Sequence, residues 1–153
     1  MQRFTTVTDA IALATFAHRK QTDKAGAPYI DHPRRVLATV QHQHAPANTQ
    51  IAAVLHDVTE DTAFTCSMLL ELGFPEEAVG LVALLDRHLI TYEDPDDYYR
   101  AISKNSQATM IKLADIFDNL APERLALLQP DVQDRLRAKY RHAIAVLTDR
   151  SGA

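Results

Sequence analysis

The segment HDVTED at residues 56–61 concentrates groups that bind metal ions or transfer protons: His56, Asp57, Glu60 and Asp61. The apolar stretch 51–55 leads into this segment, which indicates that a buried helix delivers it. At about 100° per residue, the four side chains would point into one sector of the helix. Such a concentration of negative charge beside apolar residues costs free energy unless a cation offsets it. A divalent metal ion is one such cation, although a lone His-Asp pair is a common sequence.

A second histidine lies upstream, in the segment GAPYIDHP at residues 26–33. Gly26 and Pro28 interrupt the preceding helical pattern and predict a turn. Pro33 suits the first position of a new helix, because its missing N–H group is not needed there. His32 is therefore expected at the start of a helix, either as a metal ligand or as a capping or solvated residue.

A third segment, MIKLADIFDNL at residues 110–120, has the spacing of an amphipathic helix. Its predicted apolar stripe consists of Met110, Leu113, Ala114 and Phe117. Asp115 adjoins that stripe, and a carboxylate beside a buried face needs a partner. A salt bridge to Lys112 would provide one, and coordination of a metal ion would provide another.

The three segments together supply two imidazoles and two carboxylates: His32, His56, Asp57 and Asp115. Mixed nitrogen and oxygen ligands suit Mn, Fe or Zn better than they suit Ca. The single cysteine, Cys66, cannot form a thiolate cluster.

The order H…HD…D of these segments resembles the HD-domain metal-dependent phosphohydrolases. Three segments are similar to the hydrolase half of the RelA/SpoT proteins: PYIDHP, AAVLHDVTEDT and IKLADIFDNL. They are still more similar to the stand-alone small alarmone hydrolases, such as the metazoan SpoT homologues. The resemblance covers residues 16–120 and implies an all-α fold, the HD-domain helical bundle.

The resemblance also implies a role for each matching residue. The metal ligands would be His32, His56, Asp57 and Asp115, and the metal would be Mn(II). Glu60 and Asp61 would handle the attacking water and proton transfer. Three further residues would contact the substrate: Lys24 at the phosphates and base, Tyr29 in the nucleotide pocket and Asn119 at the sugar.

Two positions depart from the alarmone hydrolases. Asp23 stands where an arginine usually precedes Lys24, and a carboxylate repels phosphate and cannot stack on a base as guanidinium does. A Thr-Lys element of those relatives corresponds to the stretch 85–88 of this chain, where Arg87 or His88 could replace the lysine. The resemblance therefore carries over the metal and water chemistry, but not the specificity for guanosine.

These features predict a metal-dependent pyrophosphohydrolase that removes the 3′-pyrophosphate from a guanosine alarmone such as ppGpp, or from an adenosine analogue. One alternative is an HD-class nucleotide phosphomonoesterase, which would release orthophosphate. The other is a non-catalytic module that binds nucleotides. The pair Glu60 and Asp61 argues against the module, because binding alone does not need it.

Composition agrees with a compact cytoplasmic enzyme, and the resemblance implies that its partner is a small nucleotide substrate. The chain of 153 residues is 46% hydrophobic and carries a net charge of −4. It has no basic run that would predict nucleic-acid binding, and no apolar run of the ~18 residues that a membrane span needs. The N-terminal segment lacks the pattern of a signal peptide, and one cysteine is typical of a reducing compartment.

Apolar spacing and helix breakers predict a single all-α domain over residues 1–153. The motif-bearing core would span about 16–120, and a C-terminal helix would span 131–148. Helices are predicted at 6–20, 33–44, 49–60, 66–72, 75–87, 95–103, 106–120 and 131–148. The family resemblance adds the option of a short hairpin near Pro28 and Tyr29. The apolar face of the last helix would pack on the core or on a second copy in a homo-oligomer.

Overall fold

The computed structural model describes residues 3–151, which form ten α-helices within that range. In chain order they are α1 (Val7–Ala17), α2 (Asp31–His42), α3 (Ala47–Leu55), α4 (Val58–Asp61), α5 (Cys66–Leu72), α6 (Glu76–Leu85), α7 (Asp96–Ser103), α8 (Ser106–Asn119), α9 (Pro122–Leu125) and α10 (Pro130–Leu147). The predicted all-α class is confirmed. In the region where a short hairpin was considered, the structure has an isolated antiparallel β-bridge between Thr22 and Pro28.

Side-chain and glycine caps fix several helix ends. The Thr6 hydroxyl accepts a hydrogen bond from the backbone N–H of Asp9 at 3.1 Å, and the Asp9 carboxylate accepts one from the backbone N–H of Thr6 at 3.0 Å. This reciprocal pair satisfies backbone donors at the start of α1. Helix α5 ends at Gly73, whose φ of 106° lies in the left-handed region that favours glycine.

Helix α3 lies at the centre of the hydrophobic core. Every residue from 51 to 55 is buried, as expected for a short apolar run with no polar face. It packs against α1, α2, α6 and α8. Because α3 leads directly into the HDVTED segment, it brings Asp57 within 3.7 Å of His32 on α2 and His56 within 3.7 Å of Asp115 on α8.

The predicted helix over 49–60 is wrong in one respect, because the chain leaves helical geometry between α3 and α4. Asp57 has φ −100° and ψ −4°, and α4 begins one residue later. The His56 ring donates from Nδ1 to the carbonyl oxygen of Ala53 at 2.7 Å. The break therefore falls at the two residues that carry the predicted metal ligands.

Smaller corrections concern α2, α8 and α9. Helix α2 begins at Asp31, so Pro33 occupies its third position and not its first. Phe117 of α8 is 58% exposed, whereas Asp115 is 6% exposed and itself belongs to the buried face. The single-turn helix α9 was not predicted.

Helix α10 closes the bundle against α7 and α8. Its residues Ala143 and Leu147 are buried in the core, which confirms that this apolar face packs within the chain. Among the helices of residues 3–151, none has the combined length and apolar character that a membrane span requires.

Candidate metal centre and substrate pocket

Two buried histidines from separate helices face each other at the centre of the site. His32 comes from the first turn of α2, and His56 follows the last residue of α3. They are 6% and 4% exposed, and their ring centroids lie 5.5 Å apart. The core thus holds both imidazoles in one place although 24 positions separate them in the sequence.

Each histidine is oriented through its Nδ1 atom. Nδ1 of His56 donates to the backbone carbonyl of Ala53, and Nδ1 of His32 lies 2.7 Å from Oδ2 of Asp118. A ring whose Nδ1 carries the proton presents a lone pair on Nε2 when it is neutral. Both Nε2 atoms are therefore available as metal ligands.

Two carboxylates approach these Nε2 atoms. Oδ2 of Asp57 lies 3.0 Å from Nε2 of His56 and 3.7 Å from Nε2 of His32. Oδ1 of Asp115 lies 2.9 Å from Nε2 of His32 and 3.7 Å from Nε2 of His56. Each of the two predicted carboxylate ligands therefore lies within 3.7 Å of both Nε2 atoms.

The arrangement fits a divalent cation. One ligand atom each from His32, His56 and Asp57 lies within 4.8 Å of the other two. Nε2 of His56 is buried and has no hydrogen-bond partner within residues 3–151, although a carboxylate oxygen of Asp57 is 3.0 Å away. A lone pair that faces a carboxylate is unfavourable unless a positive charge lies between them.

Protons can supply that charge when no ion is bound. Burial alone would lower the pKa of His56, but the charge of Asp57 raises it well above the ordinary value. Burial would also lower the pKa of His32, but hydrogen bonds with Asp115 and Asp118 raise that pKa above its ordinary value. The site favours a cation at these nitrogens, either a proton or a metal ion.

A second set of contacts surrounds the ligands. Lys112 donates from Nζ to Oδ2 of Asp115 at 2.9 Å, so the salt bridge predicted as an alternative to metal binding is present beside the other ligands. Asn119 donates to Oδ1 of Asp115 at 3.1 Å. Tyr29 donates from its hydroxyl to Oδ2 of Asp57 at 2.6 Å. These bonds orient both carboxylates.

Asp118 is hydrogen-bonded to Nδ1 of His32, whereas Asp57 and Asp115 approach Nε2. Asp118 was not predicted from the sequence as a site residue. Its carboxylate accepts hydrogen bonds from Nε of Arg35 at 2.9 Å and from Arg124. Hydrogen bonds with His32 and Arg35 lower the pKa of Asp118, although partial burial opposes the decrease. Asp118 follows Asp115 by three residues and so lies on the same side of α8, which is the one sequence signal that could have indicated it.

Glu60 and Asp61, on α4, follow closely after the predicted metal ligands His56 and Asp57 in the chain. Glu60 is half-buried, and its Oε1 accepts a hydrogen bond from the backbone N–H of Arg87 at 3.0 Å. Burial raises the pKa of Glu60, and the charges of Asp57 and Asp61 add to the increase. Asp61 is exposed, and its Oδ2 accepts a hydrogen bond from Nε2 of Gln21 at 3.3 Å.

A cavity of about 270 Å³ opens above Asp57 and Asp115. The predicted residues Tyr29, Glu60, Asp61, Arg87 and Asn119 line it. Lys24 does not belong to the lining and is exposed.

The lining also includes residues that sequence reasoning missed as site residues: Tyr98, Tyr99, Lys112, Lys139 and Tyr140. The guanidinium of Arg87 donates to the hydroxyl of Tyr99 at 2.6 Å and lies 4.6 Å from the ring centre of Tyr98. The cavity therefore has carboxylates at its floor, and cations and phenol rings along its walls.

The comparisons with known proteins agree with this geometry. The family model for the HD domain matches residues 10–94, which contain His32, His56 and Asp57. A probable GTP pyrophosphokinase of Mycobacterium leprae is 31% identical over 150 residues, covering 94% of this chain and 19% of the relative. A guanosine-3′,5′-bis(diphosphate) 3′-pyrophosphohydrolase of Haemophilus influenzae is 31% identical over 148 residues, covering 92% and 22%.

A third relative is the bifunctional (p)ppGpp synthase/hydrolase SpoT of Escherichia coli K12. It is 30% identical over 153 aligned positions, covering 94% of this chain and 21% of the relative. The chain thus spans about a fifth of the length of these curated relatives. These matches confirm the predicted resemblance to RelA/SpoT proteins.

A solved structure shows the same fold. It belongs to a metazoan orthologue of SpoT that is described as hydrolysing ppGpp, with a TM-score of 0.78 and 24% identity, over 93% of this chain and 85% of that one. The helical arrangement, the matched region and the convergent histidines and aspartates together show that this chain belongs to the HD-domain family.

Proposed function

We propose that this protein is a metal-dependent pyrophosphohydrolase that removes the 3′-pyrophosphate from a purine nucleotide alarmone such as ppGpp. The observation that carries the proposal is the convergence of the Nε2 atoms of His32 and His56 with the carboxylates of Asp57 and Asp115, beside a cavity with cationic walls. The similarity to the 3′-pyrophosphohydrolase of Haemophilus influenzae and to the (p)ppGpp synthase/hydrolase of Escherichia coli supports the choice of substrate.

In this proposal His32, His56, Asp57 and Asp115 hold the ion. A bound divalent ion would acidify a water molecule and polarise a phosphoryl oxygen. Manganese is the ion that the family resemblance favours, and the donor set suits it. The cytoplasm remains the predicted compartment, and a homo-oligomer remains a prediction.

Glu60 is the proposed general base. Its carboxylate lines the cavity, and the backbone N–H of Arg87 fixes one of its oxygens. The raised pKa of Glu60 brings its basicity closer to the operating pH, which is favourable for a group that accepts a proton from water. Asp61 lies one residue further and would assist in proton transfer.

Cationic side chains of the walls would bind the phosphates. Arg87, Lys112 and Lys139 come from different elements and all reach the cavity. Burial lowers the pKa of Lys139, and the charges of Arg87, Lys112 and Lys24 lower it further, so each of these three cations repels the ammonium group of Lys139. Bound phosphate would relieve that repulsion.

The structure gives a local role to Asp23, where relatives carry arginine. Its Oδ1 accepts hydrogen bonds from the backbone N–H groups of Ala25 and Ala27, both at 2.9 Å. The carboxylate therefore stabilises its own turn and supplies no guanidinium to a base. For this reason the proposal includes adenosine alarmones beside guanosine ones.

A nucleotide panel tests the proposal. Protein loaded with Mn(II) would be mixed with ppGpp, its adenosine analogue and simple 5′-monophosphates, with pyrophosphate and orthophosphate measured separately. We expect pyrophosphate from one or both alarmones and no product from the monophosphates. Orthophosphate from the monophosphates would establish the phosphomonoesterase instead, and binding without turnover would establish the non-catalytic module.

A further inference from the structure

The buried histidine His18 lies outside the metal centre and has an unusual set of contacts. It is 1% exposed and follows the last residue of α1. Its Nδ1 lies 2.8 Å from Oε1 of Gln21, whereas its Nε2 is buried and has no hydrogen-bond partner among the described residues. An apolar side chain would avoid the cost of that unpaired nitrogen, so packing alone does not explain an imidazole here.

Gln21 connects His18 to the active-site cavity. Its Nε2 donates to Oδ2 of Asp61 at 3.3 Å, while its Oε1 faces His18. Its backbone is fixed as well, because its N–H donates to the carbonyl of His18 and its carbonyl accepts from the N–H of Tyr29, both at 2.9 Å. The amide group is therefore held at both ends.

The direction of these hydrogen bonds follows from the carboxylate. An ionised Asp61 can only accept, so the NH₂ group of Gln21 must face it. The amide oxygen then faces His18, and Nδ1 of His18 must carry the proton. The three residues form one directed chain from a buried imidazole to an exposed carboxylate.

We propose that His18 and Gln21 are positioning residues that orient the carboxylate of Asp61 toward the cavity and thereby support the chemical step. The inference rests on the proposed function, in which Asp61 assists proton transfer. Among the hydrogen bonds described for residues 3–151, Gln21 supplies the one side-chain donor to the Asp61 carboxylate. Without it, this exposed side chain would sample several rotamers.

Kinetics of single and double variants test the inference. Gln21→Leu removes the donor, and we expect kcat to fall about 10- to 100-fold, with KM and bound metal unchanged. If Gln21 acts through Asp61, Gln21→Leu added to Asp61→Asn should cause no further loss. Multiplied losses in the double variant would overturn the inference. Gln41→Leu is the matched control, since Gln41 donates to Gln50 on the surface.

Two variants at position 18 separate hydrogen bonding from packing. In His18→Asn the amide nitrogen occupies the same δ position as Nδ1, so it can still donate to Gln21. In His18→Leu the apolar volume remains but the donor is lost. We expect near-normal kcat for His18→Asn and the low kcat of Gln21→Leu for His18→Leu. Equal losses in both variants would contradict the positioning role.

The tautomer of His18 provides a readout that does not depend on activity. Nitrogen NMR of the imidazole should show the neutral Nδ1–H form in the wild type and a mixture of tautomers in Gln21→Leu. A wild-type Nε2–H form would overturn the inference whatever the activity. Absence of pyrophosphate release with the Nδ1–H form present would refute the proposed function alone, and the chain of hydrogen bonds would stand.

Discussion

At the scale of single residues, the site is distinguished by how each ligand is oriented by a partner. Nδ1 of His56 donates a hydrogen bond to a backbone carbonyl, and Nδ1 of His32 is hydrogen-bonded to Asp118. These partners fix which nitrogen of each ring faces the carboxylates. In the proposed function, the chemistry would therefore depend on the residues that orient the predicted ligands as well as on the ligands themselves.

Asp118→Ala tests that dependence. Removing the carboxylate frees Nδ1 of His32 and should weaken metal affinity by about 10- to 100-fold while leaving the four ligands in place. Metal titration of the ion-free protein measures this effect. Asp131→Ala, an exposed change on α10, is the control and should bind metal normally. Equal affinities in both variants would show that Asp118 does not orient His32.

Glu60→Ala tests the proposed general base. The variant should retain its metal and lose kcat by roughly 10²–10⁴, the usual contribution of acid–base catalysis. Steady-state kinetics beside elemental analysis gives both quantities. Glu123→Ala, a change at a largely exposed carboxylate, should keep full activity. A near-normal kcat in Glu60→Ala would assign the proton transfer elsewhere.

The sequence predicted much of the residue-level arrangement. Two histidines and two aspartates were expected to meet, and they do meet. Asp118 was missed because its three-residue spacing from Asp115 is a weak signal, and its contact with His32, 86 residues earlier, follows only from the fold. Lys24 was placed at the substrate by resemblance, but the loop that carries it leaves it outside the cavity lining.

At the scale of elements, helix boundaries followed from caps and breakers, and most lie within three residues of their predicted positions. The break between α3 and α4 could not be predicted. Apolar periodicity continues through it, and its stabilising contacts are made by the side chains at the break.

The capping box of α1 gives a prediction at this scale. Thr6→Ala removes the side-chain acceptor for the N–H of Asp9 and should lower the free energy of unfolding by about 1 kcal/mol. Urea denaturation measures the change. Thr5→Ala is the matched control, since the backbone and not the side chain of Thr5 bonds Asp9. Equal stabilities of the two variants would refute the capping role.

At the scale of the whole molecule, the cavity is assembled from segments that are distant in the sequence. Tyr29, Glu60, Arg87, Asn119 and Lys139 each come from a different part of the chain. Local patterns cannot predict such a wall, because it depends on how the helices pack. Lys139 also lies beyond residues 16–120, the region that the sequence resemblance covers, which explains why it was not predicted.

Lys139→Ala tests the contribution of α10 to substrate binding. If the ammonium group binds a phosphate, its loss should remove about 1.5–3 kcal/mol of binding and raise KM tenfold or more. Because the group lies on the wall and not at the metal ligands, kcat should change little. Lys104→Ala, an exposed change outside the cavity lining, is the control. An unchanged KM would exclude Lys139 from substrate binding.

The central claim is that metal bound by His32, His56, Asp57 and Asp115 drives pyrophosphate release from an alarmone. The most direct measurement is pyrophosphate release from ppGpp and from its adenosine analogue by Mn(II)-loaded protein, after chelation, and after Mn(II) is restored, with Asp57→Ala in parallel. We predict that release from at least one alarmone stops on chelation and returns with Mn(II), and that Asp57→Ala neither retains metal nor recovers activity. Release that persists without metal, or full activity of Asp57→Ala, would contradict the account.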